Sequence, residues 1–226
     1  MKTVVLLSGG LDSAVNLKCA LDDGEIRQTV TFDYGQAAFD NEARAAAAMV
    51  ERYRLPHTVV RLPWYKDLVA NPLMGKGEIG EHAAGINVSS ADLLKEAWIP
   101  NRNCVFLSIG AAYAESLKAR GIVVGFNREE AGVFPDNSLA FLEAVNQALK
   151  LSTLSDIEVV CYTIGMTKAE IVALGAEIAA PLDLIYSCYR PARDQRMCGL
   201  CQSCVRVKAA LSAAGQMEKH AGRFAA

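Results

Sequence analysis

Residues capable of binding an anion are concentrated in a short turn near the start of the chain. The run Ser8-Gly9-Gly10-Leu11-Asp12-Ser13 follows an apolar stretch at 4–7 and precedes a segment with helical periodicity. Adjacent glycines allow a sharp turn that brings backbone N–H groups close to an anion, and the serine hydroxyls add donors beside a helix N-terminus. The run therefore predicts a phosphate-binding loop, with a purely structural turn between strand and helix as the alternative.

The spacing of this loop separates it from two common nucleotide motifs. No lysine follows the glycines as it does in Gly-x-x-x-x-Gly-Lys-Ser/Thr, and the order differs from Gly-x-Gly-x-x-Gly. The loop resembles the pyrophosphate loop, or PP-loop, of ATP pyrophosphatases, which cleave ATP between its α and β phosphates. That resemblance implies nucleotide binding by Ser8, Gly9, Gly10, Leu11, Asp12 and Ser13.

Four cysteines near the C-terminus have the spacing of metal ligands. They are Cys188, Cys198, Cys201 and Cys204. Cys-x-x-Cys steps direct both thiolates towards one ion, and four thiolates satisfy zinc without leaving an open coordination position. We expect a structural zinc site here, with an iron–sulfur cluster and redox-active thiols as the alternatives.

Polar residues at predicted strand ends and helix starts could complete a ligand site. Tyr34 and Gln36 follow the second predicted strand, and Gly125 ends a later one. Ligands of parallel sheets bind at the carboxyl ends of the strands. Arg102 begins a predicted helix and offers a guanidinium to phosphate or carboxylate, while Asn101 or Asn103 is expected to cap that helix.

A second helix start combines capping residues with a lysine. In Thr167-Lys168-Ala169-Glu170 the threonine and the glutamate have the spacing of a capping box. Lys168 is therefore either an ordinary member of a capped first turn or a group that reaches ATP phosphates.

Strands and helices alternate along the chain. This order predicts an α/β fold with a parallel, doubly wound sheet. The predicted strands are 3–7, 28–32, 57–62, 122–124 and 158–162, and the predicted helices are 14–21, 41–53, 103–119, 138–150 and 168–176. We expect 1–184 to form the nucleotide-binding domain, 67–97 within it to be a mobile flap, and 185–226 to be a zinc-binding region packed on it.

Composition limits the class of partner. The 226 residues include 23 basic and 25 acidic side chains, for a formal charge of -2, so we expect a small-molecule substrate rather than nucleic acid or a membrane surface. The sequence shows no signal-peptide core and no long apolar run, which predicts a cytoplasmic protein. Seven cysteines in such a protein indicate reduced thiols or metal ligands.

Taken in order, the motifs are similar to those of the 7-cyano-7-deazaguanine synthase family over nearly the whole chain. They are 8–13, Asp33-Tyr34-Gly35-Gln36 with Glu42, Pro100 with Arg102-Asn103 and 106–108, Gly125, Pro135-Asp136, 167–170, and Ser187-Cys188-Tyr189 with the three later cysteines. The resemblance implies an adenine nucleotide α hydrolase-like (HUP/PP-loop) fold, ATP, Mg²⁺, structural Zn²⁺ and a homodimer. It also implies a C–N ligase that makes 7-cyano-7-deazaguanine from 7-carboxy-7-deazaguanine and ammonia, for queuosine and archaeosine synthesis.

The expected chemistry passes through an adenylated carboxylate and then an adenylated amide. Arg102 and Lys168 are expected to neutralise phosphate charge, and the PP-loop with Gly125 to bind ATP. The expected substrate-binding residues are Tyr34, Gln36, Phe134 and Asp136, and the Asp136 carboxylate would accept hydrogen bonds from the guanine-like edge.

Two segments depart from the family pattern. Ala37-Ala38 stands where the family commonly has Arg-His, and Val133–Ser138 replaces a segment that commonly contains Cys-Arg. Both changes remove basic groups from the acceptor side of the site. They leave two other functions open for this chain: a PP-loop enzyme that adenylates a different acceptor, and a non-enzymatic sensor of adenine nucleotides.

Overall fold

The computed structural model describes residues 1–81 and 97–225. Its central sheet has five parallel strands in the order β3-β2-β1-β4-β5. The strands are β1 Lys2–Leu6, β2 Glu25–Asp33, β3 His57–Arg61, β4 Gly121–Val123 and β5 Glu158–Val160. The predicted α/β fold class is therefore confirmed.

Helices connect the strands and cover both faces of the sheet. They are α1 Leu11–Asp23, α2 Phe39–Tyr53, α3 Tyr65–Leu68, α4 Arg102–Ser116, α5 Arg128–Ala131, α6 Leu139–Ser152, α7 Lys168–Glu177, α8 Gln202–Ala213 and α9 Met217–His220. Short 3-10 turns occupy Pro72–Met74, Pro135–Asn137 and Ala221–Arg223. No helix within the described ranges is both long enough and apolar enough to cross a bilayer.

The strand order reverses between β1 and β4. From β1 the chain moves outward to β2 and β3, and it then returns to place β4 on the other side of β1. Connections that leave neighbouring strands in opposite directions open a crevice at the carboxyl ends, where ligands of such sheets bind. The predicted phosphate loop follows β1 and Gly125 follows β4, so both lie at this crevice.

Two apolar cores lie on opposite faces of the sheet. Successive side chains of a strand point to opposite faces, and Val4 and Val5 of β1 accordingly belong to different cores. One core contains α4 and α6; the other contains α1, α2, α7 and α8 together with Cys188, Cys201 and Cys204. The cysteine-rich segment thus shares a core with the helix that follows the phosphate loop.

Several predicted boundaries and caps needed correction. The helix predicted to 119 ends at Ser116, because Lys118 turns the chain with a φ of +54°. The predicted asparagine cap of α4 is wrong: Asn101 occupies the N-cap position with no side-chain cap, and Asn103 Nδ2 instead donates to the Asp136 carbonyl at 3.1 Å. The capping box of Thr167 and Glu170 is confirmed.

The segment predicted as a mobile flap, 67–97, is described only at its edges. Up to residue 81 it contains the end of α3 and the 3-10 turn Pro72–Met74. The Asn71 side chain accepts a hydrogen bond from the Met74 N–H at 3.1 Å and donates one to the Trp98 carbonyl at 2.9 Å. Residues 82–96 of the predicted flap lie outside the described residues.

Candidate active site

The phosphate loop requires glycine at Gly9 for two independent reasons. Its φ of +81° lies in the left-handed region, and a Cβ there would lie 2.5 Å from the Glu42 carbonyl oxygen of α2. A Cβ on Gly125 would likewise lie 2.6 Å from the Ser13 backbone nitrogen. The loop is therefore packed closely between the first turn of α2 and the end of β4.

Hydroxyl groups hold the turn from within. The Ser8 hydroxyl accepts a hydrogen bond from the Gly10 N–H at 3.3 Å and donates to the Ser13 hydroxyl at 3.0 Å. Ser13 donates in turn to the Gly10 carbonyl at 3.0 Å. Both serines line the cavity above the loop, and the hydrogen bonds within the turn fix the positions of their hydroxyls there.

Residues next to Cys188 hold the same loop from outside. The Tyr186 N–H donates to the Gly9 carbonyl at 2.8 Å, and the Leu11 N–H donates to the Ser187 hydroxyl at 3.1 Å. These bonds join the cysteine-rich segment directly to the predicted ATP site.

A cavity of about 260 Å³ opens at the carboxyl ends of the strands. Of the predicted loop, strand-end and helix residues, all line it except Gly9 and Asp136. Those that do are Ser8, Gly10, Leu11, Asp12, Ser13, Tyr34, Gln36, Arg102, Gly125, Phe134 and Lys168. The structure therefore brings together residues from six separate stretches of the sequence.

Lys168 lies between two carboxylates on the cavity wall. Its Nζ is 2.8 Å from Asp12 Oδ2 and 2.9 Å from Glu130 Oε1, and its side chain is 7% exposed. Burial disfavours the charged ammonium, but the two carboxylates outweigh it and raise the Lys168 pKa above its usual value. Arg206 of α8 approaches Glu130 within 4.0 Å, so α8 also reaches this group.

Arg102 contacts Tyr34 directly in the lining of the cavity. Its Nη1 donates to the Tyr34 hydroxyl at 3.1 Å, and its guanidinium carbon lies 5.5 Å from the centre of that ring. Burial disfavours the charged form, but Tyr34 and Asp136 raise the Arg102 pKa above its usual value. Arg102 therefore brings a permanent positive charge into the site.

Asp136 lies beside this site, outside the cavity lining. Its Oδ1 accepts a hydrogen bond from Asn137 Nδ2 at 3.0 Å, and burial raises the pKa of its carboxyl. Phe134 does line the cavity, and its ring is parallel to that of Trp98 at a centroid distance of 6.4 Å.

Sequence reasoning did not assign two carboxylates of the cavity wall, Glu42 and Glu130. One oxygen of Glu42 accepts a hydrogen bond from Gln36 Nε2 at 2.9 Å, and burial raises its pKa to about 6. Glu42 belongs to the quoted family motifs, so its position was a usable signal. Glu130 lies in the short helix α5, where nothing in the sequence pattern distinguished it from Glu129.

The four predicted metal-ligating cysteines come together. All four Sγ atoms lie within 4.8 Å of one another, with 3.9 Å between Cys188 and Cys201 and 3.8 Å between Cys198 and Cys204. Zinc–sulfur bonds of about 2.3 Å in a tetrahedron place sulfurs roughly 3.8 Å apart. The donor set and its dimensions therefore fit zinc.

Comparisons with known proteins give matches to one family along almost the whole chain. The family model described as queuosine biosynthesis protein QueC matches residues 2–215. The 7-cyano-7-deazaguanine synthase of Pelotomaculum thermopropionicum is 45% identical over 223 residues, which cover 96% of this chain and 100% of that protein. The 7-cyano-7-deazaguanine synthase of Desulforudis audaxviator is 45% identical over 218 residues, covering 95% and 98%.

A solved structure, NMN synthetase from Francisella tularensis, aligns with a TM-score of 0.47 at 14% identity, covering 99% of this chain and 87% of that one. The assignment depends instead on the family model and the sequence relatives, which agree over nearly the full length. This chain belongs to the queuosine biosynthesis protein QueC family.

Proposed function

We propose that this chain is an ATP-dependent C–N ligase that converts 7-carboxy-7-deazaguanine and ammonia into 7-cyano-7-deazaguanine. The observation that carries the proposal is the match to curated 7-cyano-7-deazaguanine synthases at 45% identity over 96% of the chain. The cavity supports it, because a phosphate loop, a half-buried arginine and aromatic side chains line one space.

The first step activates the substrate carboxylate. A carboxylate is a poor electrophile because its oxygen is a poor leaving group. Attack of that oxygen on the α phosphate of ATP expels pyrophosphate and forms an acyl adenylate. Backbone N–H groups of the loop, with Ser8 and Ser13, would hold the departing pyrophosphate, and Arg102 would neutralise charge near the phosphates.

Two further steps form the nitrile. Ammonia attacks the acyl carbon, AMP leaves with the bonding electrons, and an amide results. The amide oxygen then attacks the α phosphate of a second ATP, and loss of AMP from carbon produces the nitrile. No covalent enzyme intermediate is needed, so the protein acts by positioning the reactants and neutralising charge.

Lys168 would act on the ATP phosphates less directly than the sequence alone predicts. Its ammonium is bound by Asp12 and Glu130, so it reaches phosphate only together with those carboxylates. The second oxygen of Asp12, Oδ1, is buried without a hydrogen-bond partner among the described residues. Because Mg²⁺ prefers carboxylate oxygens, this atom fits the magnesium that would accompany ATP and offset its phosphate charge.

Substrate binding would use the aromatic and amide side of the cavity. Phe134 would offer a flat apolar surface for the heterocycle, and Tyr34 and Gln36 line the same cavity. Asp136 would have to turn towards the cavity to accept hydrogen bonds from the guanine-like edge.

Zinc would be held by Cys188, Cys198, Cys201 and Cys204 in a closed site that supports the loop. The family resemblance further supports a cytoplasmic homodimer that acts on a small molecule.

Product analysis tests this function. Purified protein with ATP, magnesium, ammonium and 7-carboxy-7-deazaguanine should release two AMP and two pyrophosphate for each nitrile formed. AMP release that requires a different acceptor would reject the proposed substrate. Tight ATP binding with no turnover on any heterocyclic acid would favour the sensor.

A further inference from the structure

We propose that Glu42 is a catalytic base that takes protons from the nitrogen that becomes the nitrile. This inference rests on the proposed function. It assigns a chemical role to a carboxylate that the expected ATP- and substrate-binding residues do not include.

The reaction requires a proton acceptor near that nitrogen. Nitrogen enters as ammonium, which carries four hydrogens, and it leaves as a nitrile nitrogen with none. Ammonium must lose a proton before it has a lone pair with which to attack carbon. The later loss of AMP from the activated amide forms the carbon–nitrogen triple bond only as the nitrogen loses its remaining protons.

Glu42 is placed next to the reacting centre. Its backbone carbonyl lies 2.5 Å from the position of a Cβ on Gly9, so the first turn of α2 rests directly on the phosphate loop. Its side chain lines the cavity that also holds Ser8 and Arg102. The acyl carbon is bonded through one oxygen to the α phosphate, so it must lie close to this loop.

The Glu42 carboxylate is also the one acid of the cavity that is available to accept a proton among the described residues. Asp12 and Glu130 both lie within 2.9 Å of the Lys168 ammonium, so each of them already has a cationic partner. Glu42 has no cation within ion-pair distance among the described residues. One of its oxygens accepts a hydrogen bond from Gln36, and the other has no partner in the described part of the chain.

The surroundings of Glu42 suit reversible protonation. Gln36 and Arg102 favour the carboxylate, while burial disfavours it more strongly and places the pKa at about 6. Tyr34, which also faces it, has its pKa raised by burial and remains a neutral phenol. A base is most effective when its pKa lies near the working pH, and Glu42 meets that condition.

The proton transfers balance in both stages. Glu42 takes one proton from ammonium, and the resulting ammonia adds to the acyl carbon. A second proton passes from this nitrogen to Glu42 as the acyl C–O bond breaks and AMP leaves with the electron pair, so the amide keeps two N–H hydrogens. Glu42 passes each proton to solvent before accepting the next. In the second stage it takes one proton from this nitrogen after the amide oxygen is adenylated, and the last proton as that C–O bond breaks and AMP leaves, so the nitrile nitrogen carries none.

The variant Glu42→Gln tests the assignment, with Asp40→Asn as a matched control because Asp40 lies in the same helical turn and is exposed. Three rates are measured: acid-dependent pyrophosphate–ATP exchange, nitrile formation from ammonium, and hydroxamate formation from hydroxylamine. Hydroxylamine is a neutral nucleophile at pH 7 and needs no prior deprotonation. We expect Glu42→Gln to lose about 100-fold or more in nitrile formation, while exchange and hydroxamate formation stay within about threefold of wild type.

Two results would overturn the role of Glu42. One is nitrile formation at the wild-type rate by the variant, and the other is an equal loss of exchange and nitrile formation. A wild-type protein that shows no acid-dependent exchange would instead reject the proposed function itself. Should the variant be insoluble, the wild-type pH profile at saturating ammonium decides: nitrile formation should fall below about pH 6 while acid-dependent pyrophosphate–ATP exchange does not, and parallel profiles would reject the base.

Discussion

The hydroxyl of Ser187 accepts a hydrogen bond from the backbone N–H of Leu11 at 3.1 Å, across a sequence separation of 176 residues. Leu11 is the first residue of α1, so this bond fixes the end of the phosphate loop. Ser187 is also the neighbour of Cys188, the first predicted zinc ligand. The cysteine cluster and the phosphate loop are therefore connected through one hydrogen bond and one peptide bond.

Removal of the Ser187 hydroxyl should weaken both stability and ATP binding. The variant Ser187→Ala leaves the Leu11 N–H without its acceptor, and a typical hydrogen bond of this kind contributes about 1 kcal/mol. We expect the free energy of unfolding to fall by about that amount and the Kd for ATP to rise several-fold. Denaturant titration and calorimetry measure the two effects; Ser212→Ala, at an exposed position of α8, should change neither.

Zinc removal should weaken ATP binding before any turnover occurs. Tyr186 and Ser187 hold the phosphate loop at Gly9 and Leu11. The next residue, Cys188, would be fixed by zinc, so removal of the metal would loosen the segment that supports the loop. We expect one zinc per chain by metal analysis, and a decrease in ATP affinity of at least tenfold after chelation that is reversed by added zinc. Unchanged ATP affinity in the metal-free protein would show that the loop is held without the metal.

The variant Gly9→Ala should reduce ATP binding and stability far more than the addition of one methyl group suggests. A methyl group at this position meets the Glu42 carbonyl oxygen at 2.5 Å and requires a left-handed φ of +81°. Backbone strain of this kind costs about 1–3 kcal/mol. ATP binding should be lost together with part of the stability. Gly165→Ala is the matched control, since a Cβ there has no heavy atom within 4 Å, and it should bind ATP as wild type does.

Replacement of Lys168 should destabilise the fold as well as the site. Lys168→Met leaves Asp12 and Glu130 without the ammonium that both of them contact. Loss of one member of a buried ion pair typically costs about 3–5 kcal/mol. Thermal unfolding should report this loss, whereas Lys150→Met on the exposed end of α6 should change stability by less than about 0.5 kcal/mol.

Because of Glu42, the free energy of unfolding should decrease as the pH rises, which is the opposite of the usual effect of a carboxyl group. Its pKa rises from 4.5 to about 6 on folding, so the folded state holds the proton more tightly. Stability from this group is therefore complete below about pH 4.5 and is lost as the pH rises through about 6. Since one pKa unit corresponds to about 1.4 kcal/mol, Glu42→Gln should be roughly 2 kcal/mol more stable than wild type at pH 7.5 and no more stable at pH 4. Equal gains at both pH values would contradict this assignment of the pKa.

The sequence predicted the parts of this protein that are local. The phosphate loop and the four cysteines are short patterns, and the alternation of strands with helices follows from apolar periodicity. The contact between Ser187 and Leu11 was not predictable, because it depends on how α7, α8 and the cysteine segment pack on α1. The same holds for Lys168, whose two partners come from the loop after β1 and from α5, and only the folded chain brings the three together.

The residues predicted for the substrate show the same limit. Asp136 and Glu42 were both visible in the family motifs, yet only the fold shows that Glu42 lines the cavity and Asp136 lies beside it. Side-chain direction depends on the local turn, and the 3-10 turn at Pro135–Asn137 directs Phe134 and Asn137 to the cavity instead.

The bonds from Tyr186 and Ser187 to the phosphate loop also set an order of events during synthesis. The phosphate loop leaves the ribosome early, but Ser187, which helps to fix its shape, is made 176 residues after Leu11. Cys204, the last of the four cysteines, is made later still. A nascent chain can form β1, β2 and β3 and still lack a finished nucleotide site. With zinc held by the four cysteines as proposed, metal loading would follow the synthesis of all five strands and would complete the support of the phosphate loop.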